Sequence, residues 1–459
     1  MNDQDIKNLS TDAVNLAGTC AARYVDSIRD KRVFPTQSDL DALRNFDEAL
    51  PQNGTAAIDV LQQLDLYGAN ATVATTGGRY FGLVVGGATP ASMGASIMNA
   101  AWDQIAIMEN TAPTAIHLER LAAQWIVDLL HLPNDGSVGF TTGSSVANLV
   151  GLAAARNALY ENLGINIEEC GLTNAPPLQV VLSEQAHVTV HKALKLLGFG
   201  TNQMIKVPCD SQGRIKPNAL PEIGPDTIVC LQAGNVNSGA FDPFAEIIPE
   251  AKQKGAWVHI DGAFGLWALA SPDKKHLAES AWLADSWAVD AHKWLNTPYD
   301  CGITICRNPK AVHEVMTTVA PYLTSSENVP PKDMVPEFSR RARGVEVWAA
   351  IKEMGQEGIS DLINRCCNHA ITLANGLQEL GYEIVNDVVL NQVVATIGNP
   401  DDIKAIAKFV QDEGECWFGT TVWQGRTAIR LSVSSWATTD NDVKRTLESI
   451  KRATESVLK

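Results

Sequence analysis

Long apolar runs and an excess of basic residues are both missing from this sequence. No apolar stretch approaches the ~18 residues of a membrane-spanning helix, and residues 1–5 are polar and acidic, unlike a signal peptide. The 36 Lys and Arg residues are outnumbered by 52 Asp and Glu residues, which gives a formal net charge of -16. This charge argues against binding to nucleic acid or to an anionic membrane. We therefore expect neither kind of partner.

The nine cysteines include no Cys-x-x-Cys spacing, and their odd number argues against a disulfide framework. Reduced thiols are typical of the cytoplasm, so we predict a cytoplasmic location. The length of 459 residues allows two or three domains with sizeable cores. A composition of 45% hydrophobic and 19% charged residues is ordinary for a soluble globular protein, so composition alone identifies no chemistry.

Hydrophobic periodicity divides the chain into three parts. Residues 1–76 read as amphipathic helices, at 13–29 and 55–67, which have little core of their own and are expected to pack on a partner. Residues 77–345 alternate apolar strands with helices, which predicts an α/β domain whose parallel sheet is covered on both faces. Residues 346–459 suit a smaller α+β domain. The predicted strands are 180–183, 227–232, 257–260, 287–289, 302–306, 393–397 and 428–433.

A candidate phosphate cradle lies at residues 140–148. The run Phe-Thr-Thr-Gly-Ser-Ser-Val-Ala-Asn reads as a turn that opens onto an Ala- and Leu-rich helix. Free backbone N–H groups and the positive end of the helix dipole meet in such a turn, and hydroxyl groups add further donors. The turn is neither a Walker P-loop nor a Gly-x-Gly-x-x-Gly fingerprint, and an ordinary helix cap is the alternative interpretation.

Two strand-like segments end in groups that pyridoxal phosphate (PLP) chemistry requires. The segment 257–261 ends in Asp261, and the segment 287–289 leads into Asp-Ala-His-Lys-Trp at 290–294. A PLP enzyme needs a lysine that forms a Schiff base with the cofactor aldehyde and a carboxylate that keeps the pyridine nitrogen protonated. Apolar neighbours would desolvate the Lys293 ammonium and favour the nucleophilic amine. The alternatives are a solvated surface lysine and a strand-end cap.

A histidine at a strand-to-helix junction is a candidate for stacking on a flat cofactor. The strand-like run 180–183 leads directly to His187, and His191 follows four residues later. This spacing can chelate a metal ion, but no further ligand cluster surrounds the pair. We therefore predict no metal site, and we expect His191 to lie on the helix surface while His187 covers the cofactor.

These segments together resemble the PLP-dependent group II amino-acid decarboxylases, the family of aromatic-L-amino-acid and glutamate decarboxylases. The resemblance extends from about Gly78 to Thr438, and it depends on six motifs in the family's order, none of which is specific alone. The motifs lie at 141–148, 183–187, 239–243, 259–265, 290–294 and 339–344. The resemblance implies a PLP-dependent transferase-like (fold type I) large domain with a mostly parallel sheet, an N-terminal helical segment and a small C-terminal α+β domain.

The resemblance also implies a role for individual residues. Lys293 would carry the cofactor, Asp261 would pair with the pyridine nitrogen, Ala263 would pack beneath the ring and His187 would stack on the ring face. Asn235 would contact the phenolic oxygen or the substrate. Ser339 would reach the phosphate from a partner subunit, because the family's sites lie at a dimer interface. The phosphate would be held by Gly143, Ser144, Ser145 and His292.

The chain departs from the family in a loop that usually carries a proton-donating tyrosine. Residues 324–335 are shorter than that loop and contain no tyrosine, and Pro331 stands in the tyrosine's apparent place. Tyr322 is the only tyrosine between Tyr299 and Tyr382. It either substitutes as the proton donor or packs the base of the loop. This departure puts clean decarboxylation in question.

The substrate wall is the second departure. The segment 77–84 resembles the family's substrate-side segment and contributes Tyr80 and Phe81, but it is less aromatic than a pocket for aromatic amino acids would suggest. Trp417 and Trp423 are further candidates for the wall, with core packing as the alternative. Arg430 is expected to bind a carboxylate of the substrate, and a structural ion pair is the competing interpretation.

We therefore predict PLP-dependent decarboxylation of an L-amino acid to its amine and CO2, in a homodimer with a shared active site. His187, Lys293 or Tyr322 would return a proton to Cα. The first alternative is another PLP reaction on the same scaffold: aldol-type cleavage, transamination, or decarboxylation coupled to oxidative deamination. The second is a non-catalytic homolog, which is disfavoured because Lys293, Asp261, His187 and the phosphate turn are all present.

Overall fold

A seven-stranded sheet forms the centre of the computed structural model, which describes residues 3–318 and 329–459. The strands are β1 (Ser137–Thr141), β2 (Gln179–Ser183), β3 (Met204–Val207), β4 (Thr227–Gln232), β5 (Trp257–Asp261), β6 (Ser286–Asp290) and β7 (Gly302–Cys306). Along the sheet the strand order is β1-β7-β6-β5-β4-β2-β3, and β7 runs antiparallel to both of its neighbours while the run from β6 to β3 is parallel.

Helices cover both faces of this sheet, which is why its central strands are buried along their whole length rather than alternating between buried and exposed residues. Every residue of β4, β5, β6 and β7 is buried. Before and within the sheet domain the helices are α1 (Asp3–Ser27), α2 (Gln37–Ala42), α3 (Ala57–Gln63), α4 (Pro90–Trp102), α5 (Pro113–Leu129), α6 (Ser144–Asn162), α7 (Ile167–Cys170), α8 (Val188–Leu196), α9 (Phe244–Gln253) and α10 (Pro309–Met316).

The C-terminal part begins with the long helix α11 (Gly344–Glu379), which is kinked at Gly355, where φ is 62°. A four-stranded antiparallel sheet follows, in the order β10-β11-β9-β8, built from β8 (Glu383–Ile384), β9 (Gln392–Thr396), β10 (Gly419–Trp423) and β11 (Arg426–Ser432). The turn between β10 and β11 has positive φ at Gln424 and Gly425, as a two-residue hairpin requires. Helices α12 (Pro400–Glu413) and α13 (Asp440–Val457) complete this part.

The predicted α/β architecture is confirmed, with particular differences. The strands at 227–232 and 302–306 have the predicted bounds, and the other five predicted strands differ by one or two residues at either end. We did not predict β1, β3, β8 or β10, nor the antiparallel direction of β7. The three-part division of the chain stays a prediction. No helix within residues 3–318 and 329–459 is long and apolar enough to cross a membrane.

Three strand ends meet at one edge of the large sheet and create the site. The parallel strands β5 and β6 are neighbours, so their terminal residues Asp261 and Asp290 lie at the same edge. Strand β1 ends there too and turns through Gly143 into α6. An ideal Cβ placed on Gly302, the first residue of β7, would collide with the backbone of Gly143, so glycine is required for this close approach.

Candidate active site

Lys293 is held by a buried carboxylate immediately after β6. Its Nζ lies 2.8 Å from Oδ2 of Asp290, whose side chain is only 2% exposed. The other carboxylate oxygen, Oδ1, accepts a hydrogen bond of 2.6 Å from the backbone N–H of Ser144, the first residue of α6. Lysine, carboxylate and helix N-terminus therefore form one cluster. We did not predict a role for Asp290, although it is the first residue of the 290–294 motif.

The predicted phosphate turn faces this cluster. An ideal Cβ on Gly143 would lie 3.3 Å from Cε1 of His292 and 3.7 Å from Oδ1 of Asp290, so the glycine keeps the space between turn and imidazole open. Nδ1 of His292 accepts a hydrogen bond of 3.0 Å from the N–H of Cys301, which orients the ring. Burial lowers the pKa of His292, and Asp290 opposes that shift. Ser144 is buried, and Ser145 is exposed beside it.

Asp261 and His187 belong to the same cluster. Asp261 is 6% exposed, and its Oδ1 accepts a hydrogen bond of 3.2 Å from the N–H of Ala263, which is half-buried. Burial raises the pKa of Asp261, while the charges of His187 and Lys293 oppose the shift. Burial lowers the pKa of His187, which the charge of Asp261 opposes. The charges of Asp261, His187 and Lys293 therefore act on one another at this edge of the sheet.

The orientation of His187 follows from its position at the start of α8. It is the residue that caps this helix, and its Nδ1 lies 2.7 Å from Oγ1 of Thr189. The cap fixes one ring nitrogen and with it the orientation of the ring. Beneath the sheet edge, a buried polar chain joins β5 to α6: Nδ1 and Nε2 of His259 lie 2.8 Å from Oγ of Ser286 and from Oδ1 of Asn148.

Asn235 offers a buried donor with no partner among the described residues. It is 1% exposed, and its Oδ1 accepts hydrogen bonds from the N–H groups of Asn237 and Ser238, at 2.9 and 3.3 Å. Its Nδ2 is buried and has no hydrogen-bond acceptor. An unpaired buried amide costs free energy unless a ligand satisfies it. This observation supports the predicted ligand contact.

An aromatic pair and an arginine include the residues that the sequence predicts for the substrate wall. The rings of Tyr80 and Trp417 stack with centroids 5.0 Å apart and planes 14° apart, and a side chain at Gly82 would collide with the tryptophan. Arg430 donates hydrogen bonds of 3.0 Å to the carbonyl groups of Val236 and Leu83. Burial lowers the pKa of Arg430, and Tyr80 opposes the shift.

Two of the residues predicted to bind the cofactor, His187 and His292, interact with Arg430 and Tyr299. The positive charge of Arg430 lowers the pKa of His187, although burial and the charges of Asp261 and Lys293 have larger effects. Tyr299 stacks on His292 with ring centroids 4.5 Å apart, and its side chain is largely exposed. We did not predict a role for Tyr299, because an exposed tyrosine after the motif has no distinguishing pattern.

Phe81 and Trp423 require a correction. Phe81 is 1% exposed and lies in the main hydrophobic core, where its own N–H donates to the carbonyl of Trp417 and its carbonyl accepts the N–H of Ser432. Trp423 is 2% exposed, packs on the small sheet and donates a hydrogen bond to the carbonyl of Val385 at 3.2 Å. Both side chains serve core packing, so we no longer place them on the substrate wall.

Of two further predicted residues, Ser339 lies away from the cluster, and Tyr322 is not among the residues that the structure describes. Ser339 is exposed and lines an open cavity of about 550 Å³ with residues at the end of α4, among them Asn99 and Asp103. Its predicted role in a partner's site is not tested within one chain. Tyr322 lies outside the described residues, as does the part of the predicted loop from 324 to 328. Residues Pro331–Asp333 form a buried turn.

Comparison with known proteins gives the family. Residues 41–397 match the family described as "Pyridoxal-dependent decarboxylase conserved domain". The aromatic-L-amino-acid decarboxylase of Bacillus atrophaeus is 26% identical over an alignment that covers 100% of this chain and 97% of that protein. The 4-hydroxyphenylacetaldehyde synthase of Rhodiola rosea is 29% identical, over 55% of this chain and 53% of that protein.

Solved structures show the same fold. Oryza sativa TDC with PLP and tryptamine superposes with a TM-score of 0.90 at 22% identity, covering 100% of this chain and 99% of that one. Mouse CSAD in apo form superposes with a TM-score of 0.88 at 20% identity, covering 99% of both chains. The similarity extends over the whole chain, including both sheets.

The residues at the sheet edge fit PLP. They provide an amine on Lys293, a buried carboxylate on Asp261, a fixed imidazole on His187 and a turn at Gly143 whose open space a Cβ would fill. Asn235 adds a buried donor without an acceptor. This donor set has the parts that a pyridine ring, an aldehyde and a phosphate each need. The chain belongs to the pyridoxal-dependent decarboxylase family, as a PLP-dependent carboxy-lyase.

Proposed function

We propose that the protein removes the carboxylate of an L-amino acid and releases the amine and CO2, with PLP carried on Lys293. The observation that supports this most directly is the placement of Lys293, Asp290 and Asp261 in one buried cluster at the sheet edge. Bound PLP supplies an aldehyde that joins the amino group and a ring that accepts the electron pair left by CO2.

The residues of this chain would divide the work as follows. Asp261, which is buried beneath the site, would hold the proton at the pyridine nitrogen. His187 would cover the ring face, and the turn from Gly143 to Ser145, with His292, would hold the phosphate. Because burial lowers the pKa of His187, its ring is neutral near pH 7 and is better suited to stacking than to acid catalysis. This leaves Lys293 and Tyr322 as candidates to return the proton.

Arg430 supports an amino-acid substrate. In the part of the chain that the structure describes, its guanidinium donates to two backbone carbonyl groups and has no carboxylate partner. A partly buried cation without a counter-ion is costly, and a substrate carboxylate would supply one. The stacked pair of Tyr80 and Trp417 lies beside it and would contact the substrate side chain.

A second candidate function is decarboxylation coupled to oxidation. The relatives include proteins named 4-hydroxyphenylacetaldehyde synthase and phenylacetaldehyde synthase, and residues 324–335 contain no tyrosine. In this reaction the amino acid, O2 and water would give an aldehyde, CO2, ammonia and H2O2. A slow proton return to Cα would favour it.

Product analysis separates the two candidates. The purified holoenzyme is incubated with a panel of L-amino acids while CO2, amine, aldehyde, ammonia and O2 are followed together. Amine formed in equal amount to CO2 without O2 uptake supports the simple decarboxylase. Aldehyde, ammonia and O2 uptake in step with CO2 would support the second candidate. Absence of CO2 with every amino acid would contradict both.

We also propose a homodimer whose sites are shared, located in the cytoplasm. Supporting the dimer, several large apolar side chains on and after α1 and α3 are exposed in the single chain: Leu9, Val14, Leu50, Val60, Leu64 and Leu66. Exposed patches of this kind mark interaction surfaces. Supporting the location, all nine cysteines are free.

A further inference from the structure

We propose that Asp290 acts as an internal anion when the cofactor is absent: its carboxylate occupies the phosphate cradle and pairs with Lys293. PLP must displace this carboxylate to bind. This inference rests on the proposed function, because it assumes that Lys293 and the turn at Gly143 receive PLP. It concerns how the cofactor is loaded rather than which bond is broken.

The two oxygens of this carboxylate are bonded to two groups that PLP would use. Oδ1 accepts the N–H of Ser144 at 2.6 Å, and that N–H opens the helix at which the phosphate is expected. Oδ2 lies 2.8 Å from Nζ of Lys293, the atom that would join the aldehyde. One side chain therefore satisfies both ends of the cofactor site at once.

Burial makes this arrangement stable while the site has no other anion. A carboxylate that is 2% exposed needs compensation, and here a helix N-terminus and an ammonium supply it. His292 does not add a full charge, because burial lowers its pKa and its Nε2 remains 3.7 Å from Oδ1 of Asp290. Asp290 is thus neutralised mainly by the two groups that the cofactor would take.

Phosphate binding changes that balance. A phosphate at the same helix end would lie beside a carboxylate, and two like charges in a buried site repel strongly. Attachment of Lys293 to the cofactor would also take the ammonium from Asp290. The carboxylate must therefore give up the Ser144 N–H, and the free energy of that exchange would be subtracted from cofactor binding.

The test measures ligand binding to the full-length chain from which the cofactor has been removed. Asp290→Asn keeps the size and one oxygen acceptor but removes the charge. We expect it to bind inorganic phosphate and PLP at least about tenfold more tightly than the natural protein, since like-charge contacts cost more than the ~1.4 kcal/mol that a factor of ten represents. Titration calorimetry with phosphate and quenching of tryptophan fluorescence with PLP give the two dissociation constants.

Asp261→Asn is the matched control. It makes the same change at the end of the neighbouring strand, on a carboxylate that accepts the Ala263 N–H and not that of Ser144. We expect no tightening of phosphate binding in this variant. Tightening in both variants would mean a general loss of negative charge, and it would overturn the specific role of Asp290.

If Asp290→Asn is unstable without the cofactor, a second measurement on the holoenzyme tests the same proposal. PLP release from the holoenzyme into a trapping protein is followed by the loss of visible absorbance, and Asp290→Asn should release PLP more slowly. Equal or faster release, or unchanged phosphate affinity, would overturn the proposal. Because these readouts involve no turnover, a failed proposal remains distinguishable from a protein that is not a decarboxylase, which the product analysis tests separately.

Discussion

Asp261 illustrates how a single residue acquires its chemistry from its position. It ends a fully buried strand, so its carboxylate is desolvated and its pKa is raised, while His187 and Lys293 oppose that shift. A bound pyridinium would place a full positive charge beside it. The carboxylate is therefore suited to ion pairing with a cationic ligand rather than to packing.

Asp261→Asn should leave the fold intact and reduce turnover by about 100-fold or more, because a neutral amide stabilises developing charge far less than a carboxylate does. Steady-state kinetics, with circular dichroism and PLP content as folding controls, measures this. Near-native turnover, or loss of the folded protein, would show that the residue has another role.

Substitution of Arg430 should weaken substrate binding more than it slows turnover. Arg430→Gln removes the positive charge that would pair with a substrate carboxylate, and we expect KM to rise by about tenfold or more with a smaller change in kcat. Arg426→Gln is the matched control on the same strand, since Arg426 is exposed and pairs with Glu383. Similar kinetics in both variants would contradict a contact between Arg430 and substrate.

At the scale of elements, β5 and α6 are joined by a directional hydrogen-bond chain. The indole N–H of Trp257 donates to Oγ of Ser286 at 2.9 Å, and the hydroxyl of Ser286 can then donate to Nδ1 of His259. Nε2–H of His259 donates to Asn148 on α6. These hydrogen bonds require the imidazole of His259 to be neutral. They link β5, the strand of Asp261, to α6, the helix that follows the phosphate turn.

From these hydrogen bonds of His259 we predict that the stability of the protein depends on pH. Burial lowers the pKa of His259 to about 3, below the unfolded value of about 6.5. The unfolded state therefore binds more protons between these values, so the contribution to stability is complete above pH ~6.5 and is lost as the pH falls toward 3. The urea midpoint should fall from pH 7 to pH 5, and less steeply in His259→Gln. Equal slopes would contradict the assignment.

At the scale of the whole molecule, the N-terminal helices and the Ser339 cavity both suggest a second subunit. The exposed apolar residues of 9–66 would be covered in a dimer, and Ser339 would reach the neighbouring phosphate. Both observations concern surfaces that a single chain leaves open to solvent.

Subunit mixing tests this arrangement. Lys293→Ala and Ser339→Trp homodimers should each be inactive or nearly so, and a mixture refolded together should recover activity, because a hybrid dimer has one site with both native residues. Sedimentation gives the oligomeric state at the assay concentration. An active monomer, or a mixture without recovery, would overturn the shared site.

Sequence patterns predict the location of site residues that follow directly from the end of a strand. They do not predict the location of residues that depends on how distant segments pack. Lys293 and Asp261 come directly after apolar strands, and the ends of parallel strands meet at one sheet edge. Strand β1 is short and contains Gly139, and its last two residues belong to the predicted phosphate turn, so its sequence does not predict a strand. Phe81 and Trp423 were placed on the substrate wall because an aromatic residue in a motif does not reveal which face it presents. Asp290 was missed because its importance arises from the Ser144 N–H, which is distant in sequence.

The attachment of PLP to Lys293 is the central claim, and borohydride reduction of the purified protein tests it most directly. Reduction makes the cofactor–lysine bond permanent, and peptide mapping by mass spectrometry then locates the label. We predict that the label lies on the peptide containing Lys293, and that the visible absorbance of the bound cofactor is absent from Lys293→Ala. A label on another lysine, or no label in a protein that retains PLP, would contradict the account.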